Sequence, residues 1–277
     1  MNSVKPLLNQ MLPTRVSRVI RRLLLRRHIG QFERRIVGHE YLGFRLKVSL
    51  QDNLAAGWYD HDWESMPEVE FLKRGQLQAG AKVFDVGAHQ GVIAMVLARL
   101  VGESGLVVAV EGTRHNAEVA VENCRINGIT NVVVECAIAA EEAGLKLSFS
   151  ETLNGSVGGE LLPVEVPSVS IDSLAIEYGT PQVVFVDVEG YECQVFEGAR
   201  KTLLAGADFF VEVHVGVGLE RHGSVERLLS SFDRTEYALF WSRGEEAPFQ
   251  ELPDFANLPR HKFFLIAMAR KKLVTSA

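Results

Sequence analysis

The chain has 277 residues, of which 47% are hydrophobic and 23% charged, with 29 Lys and Arg against 35 Asp and Glu. This composition is that of a globular protein and excludes a disordered chain, and no run approaches the ~20 consecutive apolar residues that a bilayer crossing needs. The three cysteines are odd in number and widely spaced, which excludes a disulfide framework and favours a reducing cytoplasm.

The net charge of −6 is divided unevenly along the chain. Residues 1–38 carry nine basic side chains and one acid, a charge of +8 that leaves −14 to the rest. Residues 14–37 place apolar side chains on one side of a predicted helix and arginines on the other, so we predict a basic helical extension over 1–42. Such a helix can pack on its own acidic domain, meet a partner protein or lie on an anionic membrane. We rank the two packing roles above the membrane surface.

Before the main domain the sequence predicts one strand and one helix. Polar and apolar residues alternate from residue 43 to residue 50, the period of two that a half-buried strand requires. Ser65 stands three positions before Glu68, and this capping-box spacing predicts a helix through about Gln78 that ends at Gly80.

From residue 80 onward strand and helix patterns alternate. Crossover helices of this length join parallel strands, because the connection must cross one face of the sheet. The last two strands have no helix between them, so we predict a doubly wound α/β fold with six parallel strands and one antiparallel strand at an edge. A hairpin with a long tip interrupts the alternation over about 144–168. The predicted strands are residues 83–86, 106–110, 132–137, 183–188, 209–213, 237–241 and 262–267, and the predicted helices are residues 92–101, 115–127, 192–204 and 225–232.

In open α/β sheets, ligands bind beyond the carboxyl ends of the parallel strands, so the residues that follow each strand form the candidate site. The first strand leads into a turn with Asp85, Gly87, His89 and Gly91, whose glycines let a ligand rest on backbone N–H groups at a helix N-terminus. His89 replaces the second glycine of the dinucleotide pattern, which favours a ligand without a pyrophosphate. Glu111 ends the second strand, where a carboxylate can accept both hydroxyls of a ribose.

Three later strand ends carry further candidate groups. Asp187 and Glu189 lie at the carboxyl end of a strongly apolar strand, where they can hold a substrate hydroxyl, act as general base or bind a divalent ion. Glu212 and His214 share one face of the next strand, and His214 is a second candidate for a catalytic or metal-binding role. The spacing of Asp187, Glu189 and His214 is compatible with several roles and does not assign a metal to them. Cys136 is expected to be a small buried neighbour of the ligand rather than a nucleophile.

Six segments lie at or near these strand ends. They are Asp85-Val-Gly-Ala-His-Gln-Gly91, Val110-Glu-Gly-Thr-Arg-His-Asn116, Asn131-Val-Val-Val-Glu-Cys-Ala-Ile-Ala139, Val169-Ser-Ile-Asp-Ser-Leu174, Asp187-Val-Glu-Gly-Tyr-Glu192 and Glu212-Val-His214. Together, over about residues 43–215, they resemble the FkbM family of S-adenosylmethionine-dependent methyltransferases. The resemblance implies a Rossmann-like methyltransferase domain over 43–277 with S-adenosylmethionine as its cofactor.

The resemblance also implies roles for individual residues. Asp187 and Glu189 would lie where the methyl group of the cofactor meets the acceptor. Because methyl transfer to a hydroxyl needs a group that removes the proton, we predict Asp187, Glu189 and His214 as catalytic residues, with Asp187 the first choice for the base and His214 the second. The loop of residues 154–156 is similar to the insertion that lies over the substrate in the family. The cofactor would be held by Asp85, Gly87, Ala88, His89, Gly91, Glu111, Asn116, Cys136, Ala137 and Asp187.

The implied activity is methylation of a hydroxyl on a small molecule or on a sugar of a glycoconjugate. Two alternatives stay open: a non-catalytic module that keeps the nucleoside pocket and, with less support, an NAD-dependent oxidoreductase, which the missing glycine disfavours. A charge of −14 repels phosphates and disfavours a nucleic acid acceptor, whereas acidic walls suit a cationic sulfonium. We expect a cytoplasmic enzyme whose basic extension makes any membrane-surface or protein contact.

Overall fold

The computed structural model of the protein describes residues 30–150, 152–158, 163–244, 247–252 and 259–270. Its strands are β1 (Arg35–Tyr41), β2 (Phe44–Leu50), β3 (Lys82–Val86), β4 (Leu106–Val110), β5 (Val132–Glu135), β6 (Ile138–Ala139), β7 (Lys146–Ser150), β8 (Ser156–Val157), β9 (Pro163–Val169), β10 (Val183–Val186), β11 (Asp208–Val213), β12 (Tyr237–Ser242), β13 (Gln250–Glu251) and β14 (Phe263–Ala269). Its helices are α1 (Asn53–Tyr59), α2 (Pro67–Leu72), α3 (Val92–Val101), α4 (Arg114–Ile126), α5 (Ile171–Tyr178), α6 (Glu192–Glu197), α7 (Arg200–Leu204) and α8 (Val225–Ser230). Within these ranges, no helix has both the length and the apolar character that crossing a membrane requires.

A central sheet organises the fold, with the strand order β13-β12-β14-β11-β10-β3-β4-β5. β10 pairs in parallel with β3 and β11, and β4 pairs in parallel with β3 and β5. β14 is antiparallel to both β11 and β12. Apart from the two-residue β13, six strands therefore run one way and one runs the other, which confirms the predicted doubly wound α/β architecture.

The antiparallel strand is not at an edge, where the sequence analysis predicts it. β14 lies between β11 and β12, and all seven of its residues are buried. Every residue of β14 is apolar, and a strand that is apolar on both faces is most stable inside a sheet that is covered on both sides. The prediction of an antiparallel edge was wrong because β14 pairs not only with β12, the long strand before it in sequence, but also with β11.

The sheet has a hydrophobic core on each face, because successive strand residues point to opposite sides. Along β10, Val184 and Val186 belong to one buried cluster, while Val183 and Phe185 belong to the other. Helix α3 has the predicted bounds and lies on the second face, where it buries Met95 and its neighbours. The two cores lie on the faces of the sheet, whereas the polar side chains of the candidate site lie at the carboxyl edge of the strands.

The first described strands form a separate antiparallel hairpin of β1 and β2. Residues 1–29, which hold most of the predicted basic helix, lie outside the described residues. Over residues 35–37 the helix prediction was wrong, because Ile36 and Val37 pair with Ser49 and Val48 as part of β1. The hairpin spans residue 42, and the division of the chain into 1–42 and 43–277 stays a prediction.

Two predicted helices differ from the observed ones in how they begin or continue, and the helix predicted over 225–232 ends at Ser230. The predicted capping box of Ser65 and Glu68 does not form; instead α2 follows Met66, which makes no side-chain cap, and begins at Pro67, whose fixed φ suits the first helical position. The single helix predicted over 192–204 is broken into α6 and α7. A Cβ at Gly198 would lie 2.2 Å from a backbone carbonyl oxygen of the segment after β6, so the chain bends there for packing.

A second, four-stranded sheet with the order β6-β9-β7-β8 contains the segment of residues 144–168. β7 and β9 are antiparallel, and Phe149 of β7 is buried. Cβ atoms built at Gly112 and Gly155 would lie 2.9 Å and 2.3 Å from the Phe149 ring. This ring therefore fixes the tip of the insertion close to the loop that follows β4.

Candidate active site

The candidate site lies where β3 and β10 end side by side. Gly87 has φ 92°, and a Cβ at this position would lie 1.6 Å from the carbonyl oxygen of Asp187. No side chain fits this contact, because the two backbones already touch. Glycine at position 87 thus lets the predicted cofactor loop and the predicted catalytic loop meet, as parallel pairing of β3 with β10 requires.

Two buried carboxyl groups end β3 and β4. Asp85 is 4% exposed, and its Oδ2 atom has no hydrogen-bond partner among the described residues. Burial, reinforced by the Glu111 carboxylate, raises the pKa of Asp85 to about 7. Glu111 accepts hydrogen bonds from the backbone N–H groups of His89 at 2.9 Å and Thr113 at 2.6 Å, while burial raises its pKa. These contacts tie the loops after β3 and β4 to one another.

His89 belongs to the loop after β3 and meets a helix that the sequence analysis did not predict. Its backbone is left-handed, with φ 48°, and its ring is buried. Nδ1 lies 2.9 Å from the hydroxyl of Tyr59 at the end of α1, and the ring contacts Trp58 edge-on at 4.9 Å between centroids. Burial lowers the pKa of His89 to about 4, so the ring is neutral at pH 7.

Asp52 fixes the other end of α1 against the same loop. Its carboxylate is fully buried, caps α1 by accepting from the N–H groups of residues 54 and 55, and accepts from Gln90 at 2.7 Å. His115 lies 3.1 Å from the same carboxylate. Asn116, also fully buried, donates to the Leu153 carbonyl in the insertion at 2.8 Å. An Asp immediately before a helix is a common N-cap, and this signal could have revealed α1.

A cluster of acids surrounds His214 beyond the ends of β10 and β11. The His214 side chain is 3% exposed, and its Nδ1 lies 2.5 Å from Glu192 Oε1. Its Nε2 lies 3.6 Å from a carboxylate oxygen of each of Asp187, Glu189 and Glu212, beyond hydrogen-bond distance. Burial lowers the pKa of His214, but the Glu192 contact and the other carboxylates outweigh it and raise that pKa to about 9. His214 is therefore an imidazolium at pH 7.

Asp187 experiences opposing influences inside this cluster. Desolvation raises its pKa well above the usual value, and the Glu212 carboxylate raises it further, while the His214 imidazolium lowers it. A carboxyl group with a raised pKa is suited to accept a proton near neutral pH. The Asp187 side chain is partly exposed, so a ligand can reach it.

The Glu189 turn and the insertion meet over the acid cluster. Glu189 has φ 51°, an uncommon conformation for a residue with a side chain, and Asn154 of the insertion donates a hydrogen bond to its carboxylate. A Cβ on the next residue, Gly190, would lie 2.4 Å from the backbone of Gly218. Close backbone packing thus shapes this turn, and the predicted loop of residues 154–156 is in contact with it.

Cys136 is exposed, and its prediction as a buried neighbour was wrong. β5 is the edge strand of the central sheet, and its residues are only partly buried, so the residue that follows has no covering layer. The next residue, Ala137, is 4% exposed and joins the core.

Glu192 and Lys262 are site residues that the sequence patterns did not indicate. Lys262 Nζ lies 2.5 Å from Glu212 Oε1. Donor atoms of Asp187, Glu212 and His214 lie within 4.8 Å of one another, and these are donor types that divalent cations bind. Within the part of the chain that the structure describes, the His214 imidazolium and the Lys262 ammonium face these carboxylates.

Comparison with known families gives a match over the middle of the chain. A family model described as the methyltransferase FkbM domain matches residues 85–238. The chain is 32% identical to protein-L-isoaspartate O-methyltransferase of Thermotoga maritima over 116 residues, which cover 39% of this chain and 37% of that protein. It is 47% identical to the 23S rRNA (uracil(1939)-C(5))-methyltransferase RlmD of Psychrobacter arcticus over 55 residues, 20% of this chain and 11% of that protein. The chain thus spans well under half the length of either curated relative.

The chain is also similar to solved structures of low sequence identity. A putative rRNA methylase of Clostridium thermocellum has a TM-score of 0.48 and 12% identity, with 73% of this chain and 95% of that chain covered. An S-adenosylmethionine-dependent O-methyltransferase of Thermotoga maritima has a TM-score of 0.46 and 15% identity, with 84% and 77% covered.

Proposed function

The chain belongs to the FkbM methyltransferase family, and from this membership we propose that it transfers the methyl group of S-adenosylmethionine to a hydroxyl of a small molecule or of a sugar in a glycoconjugate. One observation carries the proposal. The backbone contact between Gly87 and Asp187 sets a loop suited to the cofactor directly against an acid cluster suited to the acceptor. Methyl transfer requires these two sites to be adjacent.

The residues at the ends of β3 and β4 fit this cofactor. The buried Oδ2 atom of Asp85 has no partner among the described residues, and each oxygen of Glu111 accepts a single backbone N–H. The Asp85 carboxyl group can therefore accept a further hydrogen bond from a cationic ligand, and the Glu111 carboxylate, which the Thr113 and Asn116 side chains also contact, lies beside it. Bound there, S-adenosylmethionine supplies an electrophilic methyl group on a sulfonium. The residues proposed to hold it are Asp85, Gly87, Ala88, His89, Gly91, Glu111, Asn116, Cys136, Ala137 and Asp187.

Asp187 is the proposed base. The acceptor hydroxyl must lose its proton as its oxygen forms the new bond, and Asp187 is a partly exposed carboxylate with a raised pKa. His214 carries a proton at pH 7 and so acts on Asp187 through its positive charge. Glu189, which contacts the insertion, is proposed to orient the acceptor.

Charge supports the proposed acceptor class. The two curated relatives are named for a protein substrate and an rRNA substrate. Residues 39–277 carry a net charge of −14, and the acid cluster adds a local negative field that repels phosphates. We therefore propose a neutral small molecule or glycan as acceptor, a cytoplasmic location, and the basic extension as the site of any membrane-surface or protein contact.

The test is a screen of hydroxylated acceptors read by formation of S-adenosylhomocysteine, with a matched pair of variants. We expect Asp187→Asn to abolish turnover while cofactor affinity stays within about tenfold, because the amide keeps the shape but cannot accept the proton. Glu118→Gln, a similar change on the exposed face of α4, should retain the wild-type rate. Wild-type turnover in Asp187→Asn would disprove the base assignment.

Two further measurements in the screen distinguish a methyltransferase from the alternative functions and test for a metal. Cofactor binding without product across the screen would indicate a non-catalytic module, and binding of a nicotinamide cofactor would indicate an oxidoreductase. The screen is run with and without a chelator. We expect no effect of the chelator, because Lys262 and His214 already face the carboxylates, and a loss of turnover restored by a divalent metal would contradict that expectation.

A further inference from the structure

We propose that Lys262 is a positioning residue of the methyl-transfer site, whose ammonium group neutralises Glu212 and so keeps Asp187 available as the base. The inference rests on the proposed function for the identity of the base. Lys262 lies outside the residues that the family model matches, which end at residue 238.

The position of Lys262 follows from strand register. β14 runs antiparallel to β11 with Phe263 opposite Val213. The residue before Phe263 therefore lies beside the residue after Val213, which is His214. Antiparallel pairing thus brings the start of β14 to the carboxyl end of β11, where the acid cluster lies.

Side-chain contacts hold Lys262 in this place. Its Nζ lies 2.5 Å from Glu212 Oε1 and 5.7 Å from the centre of the Phe264 ring. The Glu212 side chain is 15% exposed and that of Lys262 is 43% exposed. The pair therefore extends from the acid cluster to the solvent-exposed surface. The same Oε1 atom lies 3.6 Å from His214 Nε2. One carboxylate oxygen therefore faces two cations.

Charge in the cluster is unbalanced even with Lys262 present. Among the described residues, four carboxylates face two cations there, and removal of Lys262 leaves one of these two, the His214 imidazolium. Of the neighbouring charges, the Glu212 carboxylate raises the proton affinity of Asp187 most. The Lys262 ammonium beside Glu212 reduces this effect, because it neutralises the Glu212 charge. The groups that face Asp187 are Tyr59 of α1, Glu189 of the turn, Glu192 of α6, Glu212 and His214 of the β11 end, and, through Glu212, Lys262.

A purely structural ion pair would behave differently. An exposed Lys–Glu pair contributes little to stability, and its loss leaves the ionisation of a distant base unchanged. A positioning role instead predicts a shift of the pH profile. The base must be ionised to act, and removing a nearby cation raises its pKa, so the acidic limb of activity moves to higher pH.

The experiment measures kcat and KM against pH in the full chain for Lys262→Met and Lys262→Arg. For Lys262→Met we expect the acidic limb to move up by about one pH unit, with kcat at pH 7 reduced roughly tenfold and mostly recovered at pH 8.5. KM for S-adenosylmethionine should stay within about twofold. Lys262→Arg should restore most of the wild-type profile. Lys73→Met, which breaks the exposed pair of Lys73 with Glu70, is the matched control and should leave the profile unchanged.

A second readout does not depend on turnover. The His214 ring is titrated by NMR, and its pKa should rise in Lys262→Met, because the imidazolium gains from the uncompensated Glu212 charge. An unshifted pH profile together with an unshifted His214 titration would overturn the inference. Absence of methyl transfer in the wild type, with a shifted His214 titration in the variant, would instead overturn the proposed function and leave the electrostatic role of Lys262 standing.

Discussion

The Glu192 carboxylate lies 2.5 Å from Nδ1 of His214, and both side chains are almost completely buried. Burial of one partner alone would be costly, since a charge removed from water needs a close counter-charge. Burial lowers the His214 pKa, but this contact together with the nearby Asp187 and Glu189 carboxylates raises it from its ordinary 6.5 to about 9. The folded protein therefore binds this proton more tightly than the unfolded chain does.

Stability should depend on pH through His214. Because the folded pKa is the higher one, the stabilisation is complete below about pH 6.5 and is lost as the pH rises through about 9. We expect the free energy of unfolding to fall by about 2–3 kcal/mol from pH 6.5 to 9.5. Urea unfolding across this range measures it. His214→Gln should flatten the curve, and equal slopes in variant and wild type would contradict the assignment.

Gly87→Ala should disrupt the site more than any change of similar size. Its Cβ would lie 1.6 Å from the Asp187 carbonyl oxygen, so the ends of β3 and β10 would have to separate. We expect a loss of more than about 3 kcal/mol of stability and loss of cofactor binding. The measurements are urea unfolding and cofactor titration.

Gly43→Ala is the matched control for Gly87→Ala. Gly43 also has a positive φ, 80°, but a Cβ there meets nothing within 4 Å. It should cost only about 1–2 kcal/mol for the left-handed backbone and leave cofactor binding intact. Similar losses in the two variants would mean that conformation, rather than the contact with Asp187, is the cause.

Tyr59→Phe should weaken the cofactor loop without unfolding the domain. The variant removes the hydroxyl 2.9 Å from His89 Nδ1 and leaves that buried nitrogen unpaired. We expect a loss of about 1–3 kcal/mol of stability and a several-fold weaker cofactor affinity, measured by calorimetry. Tyr237→Phe removes a buried hydroxyl that contacts Leu203 and Ala207 far from the loop. Tyr237→Phe should lower stability without changing cofactor affinity. If it weakened cofactor affinity as much as Tyr59→Phe does, Tyr59 would have no specific role in the cofactor loop.

Local patterns in the sequence were sufficient to predict most of the alternation of strands and helices. The strand of residues 106–110 and the helix of residues 92–101 have the predicted bounds, because apolar runs end at glycines and polar turns. The presence of Asp187 and Gly87 at one edge of the sheet also followed, since parallel strands share a carboxyl edge, whereas their direct contact depends on the pairing of β10 with β3.

Contacts between distant segments were not predictable from local patterns. Lys262 reaches Glu212 only because β14 inserts between β11 and β12, and no periodicity reports strand order in space. Tyr59 was not identified because α1 is a seven-residue helix that contains Gly57, too short and too weak in helix propensity to show a period. Cys136 was placed in the interior because the edge position of β5 is likewise a property of the whole sheet.

Cofactor affinity should rise with pH through the ionisation of Asp85. Burial and the Glu111 carboxylate raise the Asp85 pKa to about 7, so the group is largely neutral below that pH and anionic above it. The proposed ligand is a cation, which binds the anionic form more strongly. We expect the Kd for S-adenosylmethionine to fall by about tenfold between pH 6 and pH 8 and then to level off, measured by calorimetry in buffers of equal ionic strength. Asp85→Asn should bind weakly at every pH and abolish this dependence, whereas Asp233→Asn, a change at an exposed turn, should keep it. A Kd that is independent of pH in the wild type would mean that Asp85 does not face the positive charge of the cofactor.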